Sequence, residues 1–540
     1  MIWDADDGLV RALSIVRRLP IAPGIRTIQE LQIPIEGPVM AASFVLAIDQ
    51  GTTSTRALVY DASGREAGAA GRELTQHYPQ PGWVEHDPEE IWQSVATVVP
   101  QALAAAKIEP RDIAGLGITN QRETSLIWER ASSRPVTRAL VWQDRRTTDF
   151  CRQRHADEKW LRERTGLVLD PYFSGTKLRW VLERQPELRQ LADAGKLACG
   201  TIDSFLIWRL TGGRVHATDV TNASRTLLLN LETAAWDDEL CSYFAIPRAL
   251  LPDVRPSAAD FGQTAGLSFL PDGLPITGVA GDQQAALFGQ CGFATGDAKC
   301  TYGTGAFFLL HTGGRPTHSQ HRLLTTLAAT VDARPQYALE GSVFVAGAAV
   351  QWLRDGLKLF QSAPEVEALA AQSDPEQPVL FVPGLVGLGA PHWVPEARGV
   401  LFGLTRGTTA ADLGRAALEG VAYEVADLVE AAGQDAGAPL SSLRVDGGMA
   451  RNAWFLQCQA DVLGLPVLQA PVSESTALGA AFLAGLRAKV WPDLDSLRSM
   501  MKEARRFSPR LADADRRRRL TQWRRAVRAV IDFYREQPTA

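Results

Sequence analysis

The sequence predicts an α/β protein with two large domains, on three observations. Short apolar, β-prone runs alternate with helix-patterned stretches along the chain. Polar clusters recur where those runs stop, which is where open α/β sheets gather a ligand site. A strand, a glycine and threonine turn and a returning strand occur near residue 50 and again near residue 303. The 540 residues, 46% hydrophobic and 22% charged, suffice for two or more large cores.

Residues 1–39 differ in character from the rest of the chain. MIWDADDGLVRALSIVRRLP starts acidic and lacks the basic flank and unbroken apolar core of a signal peptide. Met40 is the more natural beginning, and residues 1–39 read as a mis-assigned upstream extension or a disordered tail. Phe44 to Ile48 then forms the first strand, ending in Asp49, and Ala57 to Tyr60 returns. Between them Gly51 permits close approach to an anion. Thr52, Thr53 and Ser54 offer hydroxyl and amide donors, and Arg56 offers positive charge. Asp49, at the strand end, can face a cation. Taken alone, the same residues would serve an ordinary hairpin turn.

Ile113 to Ile118 is a second run, stopped by Thr119-Asn120-Gln121-Arg122-Glu123-Thr124. Pro275 to Gly281 runs into Asp282-Gln283-Gln284, with a helical pattern from Ala285. Lys299 to Leu310, KCTYGTGAFFLL, repeats the strand, turn and strand. Leu443 to Asn452 passes through Gly447 and Gly448 into a helical stretch, Trp454 to Leu463. An isolated DGG is an ordinary strand-to-helix turn, although its glycines also admit a flat ring or a phosphate. Arg505 to Arg528 reads as an amphipathic terminal helix. Leu520, Trp523, Val527, Val530 and Ile531 recur at helical spacing beneath a solvated basic face.

A net charge of -5 gives no reason to expect a nucleic-acid partner or a membrane surface, and no apolar run reaches spanning length. Six cysteines, at 151, 199, 241, 291, 300 and 458, form no CxxC pair, which suits a reducing cytoplasm. The eight histidines show no metal-ligand spacing, and His86 has no role derivable from the sequence.

Together these segments resemble the FGGY carbohydrate kinase family over roughly residues 43 to 530, and most of all its members that act on glycerol. The motifs are AIDQGTTSTR, GWVEHDPEEIW, GITNQRET, DPYFSGTK, TDVTNASRT, GDQQAALFGQ, YGTGAF, GLGAPHWVPEARG and VDGGMARN, in that order. The resemblance implies an actin-like ATPase architecture, two ribonuclease H-like domains flanking a catalytic cleft. Residues 43–290 would bind the polyol and carry the first phosphate hairpin, and residues 291–530 would bind the nucleotide. It further implies ATP-dependent phosphorylation of glycerol to sn-glycerol 3-phosphate, with ATP and Mg2+ required, and a homo-oligomer, dimer or tetramer.

By the same resemblance Arg122, Glu123, Tyr172, Asp282 and Gln283 bind glycerol, and Phe307 walls off its carbon backbone. Such a set suits a small triol, because carboxylate, amide and guanidinium groups share hydroxyl hydrogen bonds while aromatic faces cover the CH groups. Asp282 is the expected general base, since the attacking hydroxyl must lose a proton as its oxygen bonds to phosphorus. Capping the following helix would equally explain an aspartate there. Asp49 is expected to hold Mg2+ through water. Thr52, Thr53, Ser54 and Arg56 would meet the transferred phosphoryl group from one side and Thr304 the nucleotide phosphates from the other, with Gly347, Gln351, Gly448 and Asn452 contacting ADP or ATP. Without the motifs, Arg122 and Glu123 read as a surface ion pair, Tyr172 as a packing residue, Gly347 as a helix-packing glycine and Gln351 as solvent-facing.

A kinase for a pentulose or gluconate is the nearest alternative, and an actin- or Hsp70-like ATPase switch is the alternative of another class. The switch would have no use for Arg122, Glu123 and Tyr172. Some bacterial members that act on glycerol carry a glycine- and lysine-rich loop for a sugar bisphosphate. Here the corresponding stretch, Ala265 to Gly273, reads AGLSFLPDG, so that regulation is not expected.

Overall fold

The computed structural model describes residues 43–471, 474–501 and 505–535, so the expectation for residues 1–39 lies outside the described residues. The first sheet holds β1 (Phe44–Gln50), β2 (Ser54–Tyr60), β3 (Glu66–Glu73), β4 (Ile113–Asn120) and β5 (Ile276–Gly281) in the order β5-β4-β1-β2-β3. β1, β2 and β3 are antiparallel neighbours, and β4 and β5 add in parallel to β1.

The second sheet repeats that plan. β6 (Ala298–Tyr302), β7 (Ala306–Gly313), β8 (Leu324–Leu327), β9 (Tyr337–Val343), β10 (Leu443–Asp446), β11 (Val467–Gln469) and β12 (Arg505–Phe507) run in the order β8-β9-β7-β6-β10-β11-β12. Its five inner strands show the pairing senses of the first sheet, antiparallel for β6, β7 and β9 and parallel for β10 and β11. The expected α/β class is therefore present as two sheets of one topology.

β4 lies parallel to β1, so the chain must cross over from the edge strand β3, and α1 (Pro88–Ala106) makes that crossover. Asp87 caps it by accepting from the Glu89 N–H, Pro88 occupies its first turn, and Lys107 ends it in the left-handed region. Ile91, Val95, Val98, Val99 and Ala102 make its buried stripe against the first sheet. The other face of that sheet is covered from far along the chain. α2 (Ser475–Arg487) brings Ala477, Ala480, Ala481 and Ala484 onto Val45, Ala47 and Ala280. A Cβ at Gly117 would lie 2.4 Å from the Ala480 carbonyl oxygen, and one at Gly278 2.4 Å from the Ala484 nitrogen. Only glycine lets helix backbone lie that close to β4 and β5. Residues numbered above 290 thus complete the core of the first sheet.

The C-terminal segment departs from expectation at its start. Arg505–Phe507 pairs with β11 as an edge strand, and the helix begins only at Asp513 and runs to Arg535. Pro509 lies between them, and the residue before a proline disfavours helical torsions. Leu520, Trp523, Val527 and Val530 are buried as the spacing predicted, with Trp523 stacked on Tyr423.

Candidate active site

Strand register gathers the site. Asp49 lies opposite Thr119, and Thr119 opposite Ala280; Gln50, Asn120 and Gly281 follow in the next row. The residues after each strand end, the Gly51 hairpin, Gln121–Glu123 and Asp282, therefore leave from one edge of the first sheet. In the second sheet Thr301 lies opposite Asp446, so the Gly303–Gly305 turn and the Gly447–Gly448 turn leave together.

Arg122 and Glu123 are buried, at 3% and 1% exposure, and the expected surface ion pair between them is replaced by partners from elsewhere. Arg122 binds Glu340 of β9 in bidentate fashion, Nη1 to Oε2 at 2.5 Å and Nη2 to Oε1 at 3.0 Å. Arg225 donates through Nε to Glu123 Oε1 at 2.6 Å and through Nη2 to Glu340 Oε1 at 2.9 Å. Two arginines and two carboxylates thus balance in a dry cluster that spans both sheets. Burial raises the Glu123 carboxyl despite Arg225 and Arg122. Burial also pushes Glu340 up, yet the two arginines outweigh it and hold that carboxyl below the usual range. Glu123 adopts a positive φ of 59°, and its carbonyl is tied by the Ser125 and Ser174 hydroxyls at 2.8 and 3.0 Å. Those two bonds hold a conformation that costs a non-glycine residue about 1 kcal/mol.

Asp282 lies at the wet side of this cluster. Its Oδ1 is 3.1 Å from Arg122 Nε, and its side chain is 29% exposed. It is the first residue of its helix (Asp282–Gly289), with Gly281 at the cap position. Capping the helix is therefore not its place, although its carboxylate does accept from the Gln283 N–H at 2.7 Å.

Three aromatic rings gather beside the cluster, the Arg225 guanidinium lying 5.7 Å from the Tyr172 ring. Trp142 meets Tyr172 edge-on at 5.6 Å and Phe307 of β7 at 6.3 Å, so the wall is drawn from both sheets' surroundings. Trp142 also donates from Nε1 to Thr52 Oγ1 at 2.9 Å, joining this wall to the hairpin. Gln283 is buried, and its Oε1 accepts from Lys299 Nζ of β6 at 2.5 Å.

The Gly51 N–H closes the first hairpin onto the Ser54 carbonyl at 2.9 Å. Thr52 and Ser54 are half-buried there, Thr53 and Arg56 exposed, and Arg56 is paired with Glu474 at 2.6 Å. Burial, then Asp282 and then Glu474, push the Asp49 carboxyl up to about 7 against the pull of Arg56. A group so placed gains from a cation. Among the described residues no three His, Cys, Asp or Glu side chains are grouped to hold a metal ion by themselves.

On the second sheet Thr304 is exposed at its turn, and its carbonyl accepts from the Ala346 and Ala348 N–H groups. A Cβ at Gly347 would lie 2.6 Å from the Gly303 carbonyl oxygen and 3.9 Å from Met449 Cγ, so these turns touch. Packing accounts for that glycine. Gly448 differs, since a Cβ there would meet nothing within 4 Å. Asn452 caps the helix Ala453–Leu463, accepting from the Phe455 N–H at 2.8 Å, and Gln351 is exposed at the end of the short helix Gly347–Gln351.

Trp142, Arg225, Lys299 and Glu340 were not singled out from the sequence. Arg225 stood inside the TDVTNASRT motif, and Glu340, a lone acid in the apolar run YALEGSV, was a readable sign of a buried charge pair.

Two sheets of the same five-strand topology, each ending in glycine turns, with Asp282 leaving the same edge of the first sheet as its hairpin, define a phosphotransferase of the sugar kinase kind. The chain belongs to the FGGY family of carbohydrate kinases, whose N-terminal domain model matches residues 44–289 and whose C-terminal domain model matches residues 298–488. Its relatives are more particular. It is 51% identical over 491 residues to the glycerol kinase of Deinococcus radiodurans, covering 91% of this chain and 98% of that protein. It is 54% identical over 495 residues to that of Alkalilimnicola ehrlichii, covering 91% and 99%. The crystal structure of Plasmodium falciparum glycerol kinase with ADP matches with a TM-score of 0.85 at 36% identity, over 91% of this chain and 98% of that one.

Proposed function

We infer that this protein phosphorylates glycerol with ATP, giving sn-glycerol 3-phosphate and ADP. The observation that carries the reading is the Asp282–Arg122 pair on a buried cluster whose Arg225 lies against Tyr172, within an aromatic wall that Trp142 ties to the first hairpin. The likeness to glycerol kinases over nearly the whole chain gives that pocket its substrate.

Glycerol lies with its carbons against the aromatic wall and its hydroxyls among Asp282, Arg122 and the cluster behind them. Asp282 takes the proton of the attacking terminal hydroxyl. Arg122, oriented by Glu340, keeps that carboxylate aimed at the hydroxyl. Donors of the Thr52 to Ser54 turn meet the transferred phosphoryl group. Thr304 and the turns at Gly347 and Gly448 hold the nucleotide, with the open face over Gly448 admitting a flat ring. Phosphoryl transfer asks little covalent chemistry of a protein, so positioning and charge carry most of the rate. Asp49 is the group that suits Mg2+, which it would hold through water and which would neutralise the phosphates.

Among the described residues no helix is long and apolar enough to cross a membrane. A reducing cytoplasm as the working compartment is supported by six cysteines that all stand free. The homo-oligomer rests on family resemblance, and light scattering reads it directly. ADP release measured across glycerol, dihydroxyacetone, xylulose and gluconate tests the substrate: glycerol is expected to give the highest kcat/KM. Turnover independent of any polyol would favour the ATPase switch and sink the reading.

A further inference from the structure

We propose that His86 is a positioning residue for phosphoryl transfer, its imidazole wedged between Gln76 and Gln121 so as to fix the two carbonyls that shape the Gly51–Ser54 turn. This rests on glycerol phosphorylation as the function, in which that turn meets the phosphoryl group. His86 is 1% exposed and far from any solvent-facing role. Its Nε2 lies 2.8 Å from Gln76 Oε1, and its Nδ1 lies 3.2 Å from Gln121 Nε2.

The carbonyls decide which way the amides face. A carbonyl oxygen only accepts, so Gln76 Nε2, 2.8 Å from the Thr52 oxygen, and Gln121 Nε2, 3.1 Å from the Gly51 oxygen, must be the donors. Gln121 Oε1 is then turned to the Thr124 hydroxyl at 2.8 Å, and Gln76 Oε1 is left facing the imidazole. One tautomer satisfies both neighbours: Nε2 carries the proton and gives it to Gln76, while Nδ1 is bare and accepts from Gln121. A second proton would set Nδ1–H against an N–H and break the Gly51 arm. Burial pushes the imidazole down to about 4, with Glu90 opposing and His77 adding to it, so the single-proton state is the resting one.

The arms end on backbone, and backbone at a reacting centre has little slack. The two hydrogens of the Gln121 amide go to His86 Nδ1 and the Gly51 oxygen, with Gln50 Oε1 at 3.1 Å competing for one of them; the Gly51 oxygen also accepts from Gln50 Nε2 at 2.7 Å, and the Gln121 N–H bonds the Gln50 carbonyl at 2.8 Å, tying the end of β1 to the end of β4. Thr124, which orients Gln121, accepts from the Trp142 N–H at 3.2 Å, and Trp142 in turn holds the Thr52 hydroxyl. The phosphate turn and the aromatic wall are thereby set by one continuous hydrogen-bonded path on which His86 is the pivot.

The test is steady-state kinetics in both substrates for His86→Asn, His86→Gln and His86→Ala, with melting temperature and ADP affinity measured on the same samples. An asparagine oxygen can stand in for Nδ1 and a glutamine amide for Nε2, so each of the first two keeps one arm; alanine keeps neither. His86→Ala is expected to lose about 10- to 100-fold in kcat, as a small misplacement at the phosphoryl group does, with glycerol KM and ADP affinity moving by less than about threefold. His86→Asn and His86→Gln should each recover part of that loss, and their comparison with the parent stands even if the alanine variant fails to fold. The role is overturned if kcat stays within about twofold of the parent in the folded variants, or if kcat falls only in step with the folded fraction. A parent enzyme without glycerol-dependent ADP release is a different failure, because it removes the functional reading itself.

Discussion

Glu340→Gln probes the cluster that joins the two sheets. Glu340 is the partner of both Arg122 and Arg225, and with Glu123 it balances them two against two in surroundings at most 3% exposed. Removing its charge leaves a surplus positive charge in a dry site, which typically costs about 3–5 kcal/mol. For a unit of roughly 500 residues the unfolding entropy is about 1 kcal/mol/K, so the melting temperature should fall by roughly 3–5 °C. A released Arg122 would turn to Asp282, already 3.1 Å from its Nε, and tie up the carboxylate that must take the proton. We expect kcat to fall by about 10-fold or more with ADP affinity unchanged. Differential scanning calorimetry and an ADP-release assay read the two effects. Adding Arg225→Met restores the charge count and should return part of the lost stability. A melting temperature within about 1 °C of the parent, together with unchanged kcat, would refute the balanced-cluster argument.

Asp282→Asn keeps shape and leaves the cluster of Arg122, Arg225, Glu123 and Glu340 neutral, so the protein should fold and bind ADP while losing about 10²–10⁴-fold in kcat. Near-normal turnover would remove Asp282 as the base. Burial holds the His86 and His216 imidazoles down at about 4, below the unfolded value near 6.5. The unfolded chain therefore takes up protons first, and each histidine should withdraw about 2 kcal/mol of stability between pH 7 and pH 5. His216→Gln should melt less steeply on acidification than the parent, and parallel curves would contradict this. The difference between variant and parent isolates the effect, because Asp49 and Asp203, both pushed up to about 7, titrate in the opposite sense.

The sequence showed the strand ends best, because a short apolar run that stops at a polar cluster marks both a buried strand and the edge where ligands gather. FVLAIDQGTTSTR and KCTYGTGAFFLL display the two hairpins in their own residues, and register then brings Asp49, Arg122 and Asp282 to one edge. Partnerships across the fold were less visible. Arg122 and Glu123 are adjacent in the chain but bind Glu340 and Arg225, 218 and 102 positions away, and local spacing carries no trace of such pairs. Trp142 carries no local sign of its role, which comes from Tyr172 and Phe307, brought near only by folding. Arg505 to Phe507 failed for the opposite reason, since a basic stretch before an amphipathic helix gives no local sign that β11 awaits an edge strand.

The helix Ser475–Arg487, laid on the glycine-smoothed face of the first sheet, makes the chain a lace rather than two beads. The amino-terminal half, emerging first from the ribosome, lacks the helix that covers most of Val45, Ala47 and Ala280 until almost two hundred further residues have been made. Completion of the first half therefore waits on the second, and a gene cut between the halves would yield one that is topologically whole and yet bare on one side.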